Sequence, residues 1–223
     1  MIINSENGMS KFFTKVYAWM FIGLLVSGGT AYFTANNMSM FRFVSGNFGF
    51  ILILELIVVI LFSALRRKVS PTVAKIMFLV YSIISGLTLS TVFIVYKLGS
   101  VGMVFLSAAL MFALFAVYGH ITKRDLSSFG KMLMFALLAI IIMSIINMFV
   151  NNLGIGLFLS IVSILTFLGL TAYDINNLKA IYSYYSSDEE ELSKAAIYGA
   201  LDLYLDFINI FLKLLNLFGK RND

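Results

Sequence analysis

Apolar residues run along this chain in blocks of about twenty, separated by short polar breaks. A helix that spans the hydrocarbon core of a bilayer needs about 20 mostly apolar residues. That criterion predicts seven such helices, over 16–35, 47–65, 72–96, 101–120, 131–150, 155–178 and 194–218. The breaks between them carry helix-ending chemistry. Asn36-Asn37 and Gly46-Asn47 bracket the first turn, and Arg66-Arg67-Lys68 stops the second helix. Ser70-Pro71 starts the third as an N-cap followed by proline at the first helical position. Lys97 with Gly99-Ser100, then Lys123-Arg124-Asp125, then Asn151-Asn152-Leu153-Gly154 mark the next three boundaries. Ser187, with Glu190 three residues later, reads as a capping box ahead of the last helix. The predicted fold is an all-α integral membrane protein, a seven-helix bundle forming one domain over 1–223.

Composition supports lipid as the solvent. Hydrophobic residues make up 61% of the chain and charged ones 12%, against about 25% charged in a soluble domain. A soluble protein of this size cannot bury that much apolar sequence and still cover itself with polar surface. The formal charge of +5 comes from basic residues at the ends of apolar blocks, with no continuous basic stripe, so no nucleic-acid partner is expected. The chain has no cysteine, which excludes disulfides, thiolate metal sites and cysteine nucleophiles. The first apolar run, Val16 to Ala35, is long enough to span and has no convincing cleavage site, so it reads as the first span.

Basic residues also orient the chain. Lys11, Lys15, Arg66, Arg67, Lys68, Lys75, Lys123, Arg124, Lys131, Lys179 and Lys194 fall on the N-terminal side of the predicted bundle, which places the N-terminus in the cytoplasm. Lys213, Lys220 and Arg221 at the far end oppose this bias. A re-entrant or incompletely crossing last helix therefore stays open beside a full crossing. Short tails and loops favour a bacterial plasma membrane, with the endoplasmic reticulum as the alternative. Small residues recur every fourth position as Gly23, Ser27 and Ala31, and again as Ser82, Gly86 and Ser90. Such stripes are helix-packing faces.

The last predicted helix carries the chemistry. Its polar residues Asp202, Asp206, Asn209, Lys213 and Asn216 are spaced by four, three, four and three. At 100° per residue they share an arc of about 80°. One polar stripe on an otherwise apolar helix must face other helices or an aqueous path, which makes Asn209, Lys213 and Asn216 pore-lining candidates. An acidic side chain near the bilayer centre costs about 2.5–3.5 kcal/mol on the insertion scale. Two on one face demand partners or a function. A third carboxylate, Asp174, follows the apolar run of the preceding helix. Counting the helical rise from the cytoplasmic face puts Asp174 about 12 Å deep, Asp202 about 10 Å and Asp206 about 16 Å. Asp174 can thus meet Asp206 or Asp202; the plainer reading leaves Asp174 as an interfacial residue. Two carboxylates held close in low dielectric do not ionise together easily and share a proton. Calcium takes six to eight oxygen ligands, for which Asp174, Asp206, Asn209, carbonyls and water are candidates. Glu55 lies in the middle of the second helix with no loop to explain it, and Arg66 or Arg67 ends that helix on the side of Asp174.

At these residues the chain resembles the Bax inhibitor-1 family of membrane proteins, also called the transmembrane Bax inhibitor motif family. The matching segments are Thr171-Ala172-Tyr173-Asp174 and Ala200-Leu201-Asp202-Leu203-Tyr204-Leu205-Asp206-Phe207-Ile208-Asn209. Glu55 and Ser85-Gly86-Leu87-Thr88-Leu89-Ser90 add weaker matches. The resemblance implies a bundle with a polar central seventh helix. It also implies a pH-sensitive calcium leak, controlled by an aspartate pair that shares a proton and contacts an arginine of the second helix. The pair carries over to Asp174 and Asp206, and the arginine to Arg66 or Arg67. Asp202 departs from the pattern and either shifts the pH of opening or takes over the partner role.

The expected function is a calcium leak channel gated by protonation of Asp174 and Asp206, with Asp202 beside them and Arg66, Arg67 or Glu55 as gating partners. Calcium and protons are the expected transported or transiently bound species. No cofactor and no enzymatic activity are expected. The alternative is a non-conducting modulator of other membrane proteins, such as a membrane protease, in stress or cell-death control. An intramembrane aspartyl protease is disfavoured, because Asp206 lacks a Gly-x-Gly-Asp context and no proline follows Pro71. A retinal protein is disfavoured by the single tryptophan, Trp19.

Overall fold

A computed structural model describes residues 2–66 and 68–222, with side chains from residue 7 onward. Its helices are α1 (Ile2–Asn36), α2 (Met38–Gly46), α3 (Phe48–Ala64), α4 (Pro71–Val95), α5 (Leu98–Ile121), α6 (Ser127–Val150), α7 (Leu153–Tyr185) and α8 (Glu189–Phe218). Among the described residues there is no strand, only a bridge between Tyr96 and Arg221.

Six of these helices are long and apolar enough to cross a membrane: α1, α4, α5, α6, α7 and α8. A seventh span requires α2 and α3 to count together, and they are bent by 77° at their junction. The segment expected as a simple turn is therefore partly helical. The Asn37 side chain accepts a hydrogen bond from Met40 N at 3.1 Å and starts α2. At 1.5 Å per residue the 17 residues of α3 reach about 26 Å, slightly less than the hydrocarbon thickness of about 30 Å.

Other boundaries follow local chemistry. Ser70 Oγ accepts from Val73 N at 3.4 Å, with Pro71 at the first helical position. Asn151 ends α6 in the left-handed conformation, at φ 52°, and Asn152 Oδ1 accepts from Ile155 N at 3.1 Å to open α7. The capping role expected of Ser187 falls to Asp188. Its Oδ1 accepts from Glu190 N and Glu191 N, both at 3.0 Å. A carboxylate also suits the positive end of a helix better than a hydroxyl does. Outside the spans, Asp125 accepts from Ser127 N at 2.8 Å, and its bonds to Ser127 hold the carboxyl below its usual range. The first helix begins well before residue 16, because Phe12, Phe13 and Val16 are buried and Phe12 packs on Tyr182 with ring centroids 5.6 Å apart.

The chain forms two compact units. The first holds residues up to Leu98, Ile181–Tyr204 and the tail from Arg221. Its main pairing is α1 on α4, made through the two small-residue stripes. A Cβ at Gly86 would lie 2.6 Å from Ser27 O, and one at Gly23 would lie 2.5 Å from the Phe78 ring. Glycine there lets the helices approach until backbone meets side chain. The second unit holds Gly99–Ala180 and Leu205–Lys220. Here α7 and α8 lie antiparallel, as bonds join residue 171 to 206 and residue 160 to 216. Helix α7 is also held closely by its neighbours. A Cβ at Gly119 of α5 would lie 2.3 Å from Ala172 O, and one at Gly130 of α6 would lie 2.4 Å from the Tyr173 ring.

Candidate functional site

Helix α8 is the most buried of the spanning helices, with 67% of its apolar window covered, whereas α6 has 11%. Burial and polarity therefore coincide on one helix. Lipid offers no hydrogen bonds, so a polar side chain of α8 is stabilised by a partner within the protein.

In the second unit that partner is largely α7. Asp206 is 4% exposed, and its Oδ2 lies 3.2 Å from Thr171 Oγ1. The same hydroxyl lies 2.8 Å from Phe167 O. A threonine hydroxyl has one proton and two lone pairs, so it cannot fully serve both acceptors at once. When Asp206 carries a proton the roles divide cleanly. Thr171 then donates to Phe167 O, and the Asp206 carboxyl donates to Thr171 Oγ1. Asp174 stands three residues beyond Thr171 on the same face of α7, a spacing that puts Cβ atoms about 5–6 Å apart. It is half-buried.

The clamp on Ala172 and Tyr173 by Gly119 and Gly130 fixes α7 at the residues between Thr171 and Asp174. Farther along, Lys179 Nζ donates to His120 O at 2.9 Å and Thr122 O at 2.8 Å. Those carbonyls at the end of α5 have no intrahelical donor. Asn176 Oδ1 accepts from Leu126 N at 3.3 Å just before α6.

The remaining stripe residues divide between two roles. Asn216 Nδ2 donates to Ser160 Oγ at 2.9 Å, which pairs α8 with α7. Asn209 bonds back to Leu205 O at 2.8 Å. With Lys213 it lines a cleft of about 340 Å³ walled by α6 and α7.

In the first unit, Arg66 Nη2 donates to Asp202 Oδ2 at 2.7 Å, with the two side chains 46% and 36% exposed. The guanidinium also lies 4.9 Å from the centroid of the Tyr198 ring. The partner of Arg66 is thus Asp202. Arg67, the other arginine considered, lies outside the described residues. Glu55 belongs to a polar group between α3 and α4. Its Oε2 accepts from Thr88 Oγ1 at 2.9 Å and its Oε1 from Tyr81 OH at 3.4 Å. It is therefore bonded within the protein and not left facing lipid. Among the described residues no three His, Cys, Asp or Glu gather as metal ligands.

The acidic positions were legible in the sequence, whereas the hydrogen bond of Thr171 and the close contacts of Gly119 and Gly130 were not. Thr171 was visible as part of the matching motif, but its bond requires the α7–α8 register. The glycines act only through close approach, which no local pattern reveals.

Comparison with known proteins agrees with the residues. Residues 9–223 match the family described as inhibitor of apoptosis-promoting Bax1. The inner membrane protein YbhL of Escherichia coli (strain K12) is 39% identical over 224 residues, covering 99% of this chain and 96% of that protein. An uncharacterized protein of Borreliella burgdorferi is 37% identical over 217 residues, covering 96% and 94%. A membrane protein of Streptococcus pyogenes serotype M1 is 35% identical over 224 residues, covering 98% and 96%. With the match running from α1 to the C-terminal tail, over six long apolar helices and the buried aspartate of α8, this chain belongs to the Bax inhibitor-1 family of integral membrane proteins.

Proposed function

We propose that this protein is a pH-sensitive calcium leak channel of a bacterial plasma membrane, gated by protonation of Asp174 and Asp206. The observation that carries the reading is the burial of Asp206 within a spanning helix, against a hydroxyl three residues from Asp174 on α7. A carboxylate there costs several kcal/mol unless it is bonded, protonated or accompanied by a cation. Protonation favours the closed form, in which the carboxyl and Thr171 satisfy one another. Ionisation leaves two negative groups that repel each other and attract a divalent cation. Calcium passes as cargo, drawing on these carboxylates and water for part of its oxygen shell. Asp202 holds Arg66, so the extra carboxylate occupies a guanidinium that would otherwise seek another acid. In this reading the α2–α3 pair is one bent span, α8 is the polar central seventh helix of a single domain, and the N-terminus is cytoplasmic.

The test is calcium flux from liposomes loaded with a calcium indicator, recorded across a pH series. Wild type should leak more as pH rises, while Asp174→Asn and Asp206→Asn should each flatten the profile. An unaltered profile in both variants would falsify the gating mechanism.

The family's character as inhibitors of apoptosis-promoting Bax1 favours a second reading in which the chain modulates other membrane proteins without conducting. A stress phenotype fully preserved by an Asp206→Asn variant that passes no calcium would support it.

A further inference from the structure

The cleft lined by Asn209 and Lys213 does not depend on the calcium reading. It lies wholly in the second unit, among α6, α7 and α8, with Leu137, Ile145 and Met148 on α6 and Phe167 on α7 among its lining residues. Its volume of about 340 Å³ falls within the range of about 300–1,000 Å³ typical of ligand clefts. The α6 wall is open to the outside of the protein: Ile145 is 53% exposed and Met148 71%. In a spanning helix, that outside is lipid.

Helices α6 and α8 both run antiparallel to α7, so they end at the same side. Met148 is two residues from the end of α6, and Leu137 lies about 16 Å deeper by the helical rise. The apolar wall therefore extends from near the membrane surface toward the bilayer centre, over about the length of an acyl chain. Lys213 is five residues from the end of α8, about 7.5 Å in. Its flexible stem can lift the ammonium toward the headgroups. Among the described residues Lys213 has no hydrogen-bond or ion-pair partner. Its cleft neighbour Asn209 already spends its amide on Leu205 O. An unpaired cation at the surface end of a lipid-facing apolar cleft is unfavourable alone. It becomes complementary to an amphiphile whose anion sits at the surface and whose tail points inward.

We infer that this cleft is a binding site for an anionic glycerophospholipid, with the phosphate held by Lys213 and one acyl chain lying along α6.

The test is native mass spectrometry of the full chain in detergent, with phosphatidylglycerol, phosphatidylcholine of the same acyl chains, and oleic acid added separately. Phosphatidylglycerol should be retained about fivefold more than phosphatidylcholine, the factor expected of one basic residue at a membrane surface. Lys213→Met should remove that preference, and Ile145→Trp, which fills the cleft and keeps the lysine, should remove it too. A double Lys220→Gln, Arg221→Gln variant should keep it, since those residues lie outside the cleft. Equal retention of the two phospholipids by wild type would overturn the site, as would a preference that survives Lys213→Met. Loss on Lys213→Met with no effect of Ile145→Trp would reduce it to surface charge and overturn the cleft. Oleic acid held in preference to phosphatidylglycerol would overturn the phosphate assignment.

Discussion

Gly119→Ala isolates how closely α5 must approach α7 for the site to exist. The added Cβ would lie 2.3 Å from Ala172 O and 2.9 Å from Ala172 Cα, where ordinary contact begins at 3.4 Å. The obstructing atoms are backbone, so no side-chain rotation relieves the clash and the helices must part by about 1.1 Å. Overpacking of this kind costs about 1–3 kcal/mol. At about 2–4 °C per kcal/mol for a chain of this size, the melting temperature should fall by about 2–12 °C. The companion substitution Gly102→Ala, also in α5, meets nothing within 4 Å. It removes a flexible residue from a helix interior and should be neutral or stabilising by up to about 1 kcal/mol. Both can be read by circular dichroism melts of detergent-purified protein at one pH and one detergent concentration. Because Ala172 lies between Thr171 and Asp174, Gly119→Ala should also distort the pH profile of calcium release, and Gly102→Ala should not. If Gly119→Ala melts at or above Gly102→Ala, the close approach of α5 to α7 is absent and the placement of the site residues on α7 fails with it.

Thr171→Val removes the hydroxyl while keeping the shape; losing a bond of about 0.5–1.5 kcal/mol should carry the leak midpoint to lower pH by about half to one unit. Thr171→Ser should hold it, and a midpoint moving toward higher pH would show that the hydroxyl serves the ionised carboxylate instead. Arg66→Met and Asp202→Asn should be non-additive in a double-mutant cycle of thermal stability. The coupling should be about 0.2–1 kcal/mol because both side chains are partly exposed, and strictly additive effects would deny the ion pair.

The alternation of apolar blocks and polar breaks was enough to determine helices in a membrane, because a backbone in lipid must satisfy its own hydrogen bonds. Ser70-Pro71 and Asn151-Asn152 marked their boundaries for the same local reason, since caps act within a few residues. The spacing of Asp202, Asp206, Asn209, Lys213 and Asn216 already placed one polar stripe on the last helix. Where each member of that stripe goes was decided by packing. Asp206 meets Thr171, Asn216 meets Ser160, Asp202 meets Arg66, and Lys213 enters a cleft. Periodicity fixes an angle around a helix axis, but a partner depends on which helix lies at that angle and at what register. The helical character of Met38–Gly46 and its 77° bend from α3 were hidden likewise, since a helix of nine residues is marginal without tertiary support. Glycines 119 and 130 show the same limit from the other side. A residue with no side chain leaves no mark on hydropathy, and its meaning appears only when another backbone or ring comes to lie against it.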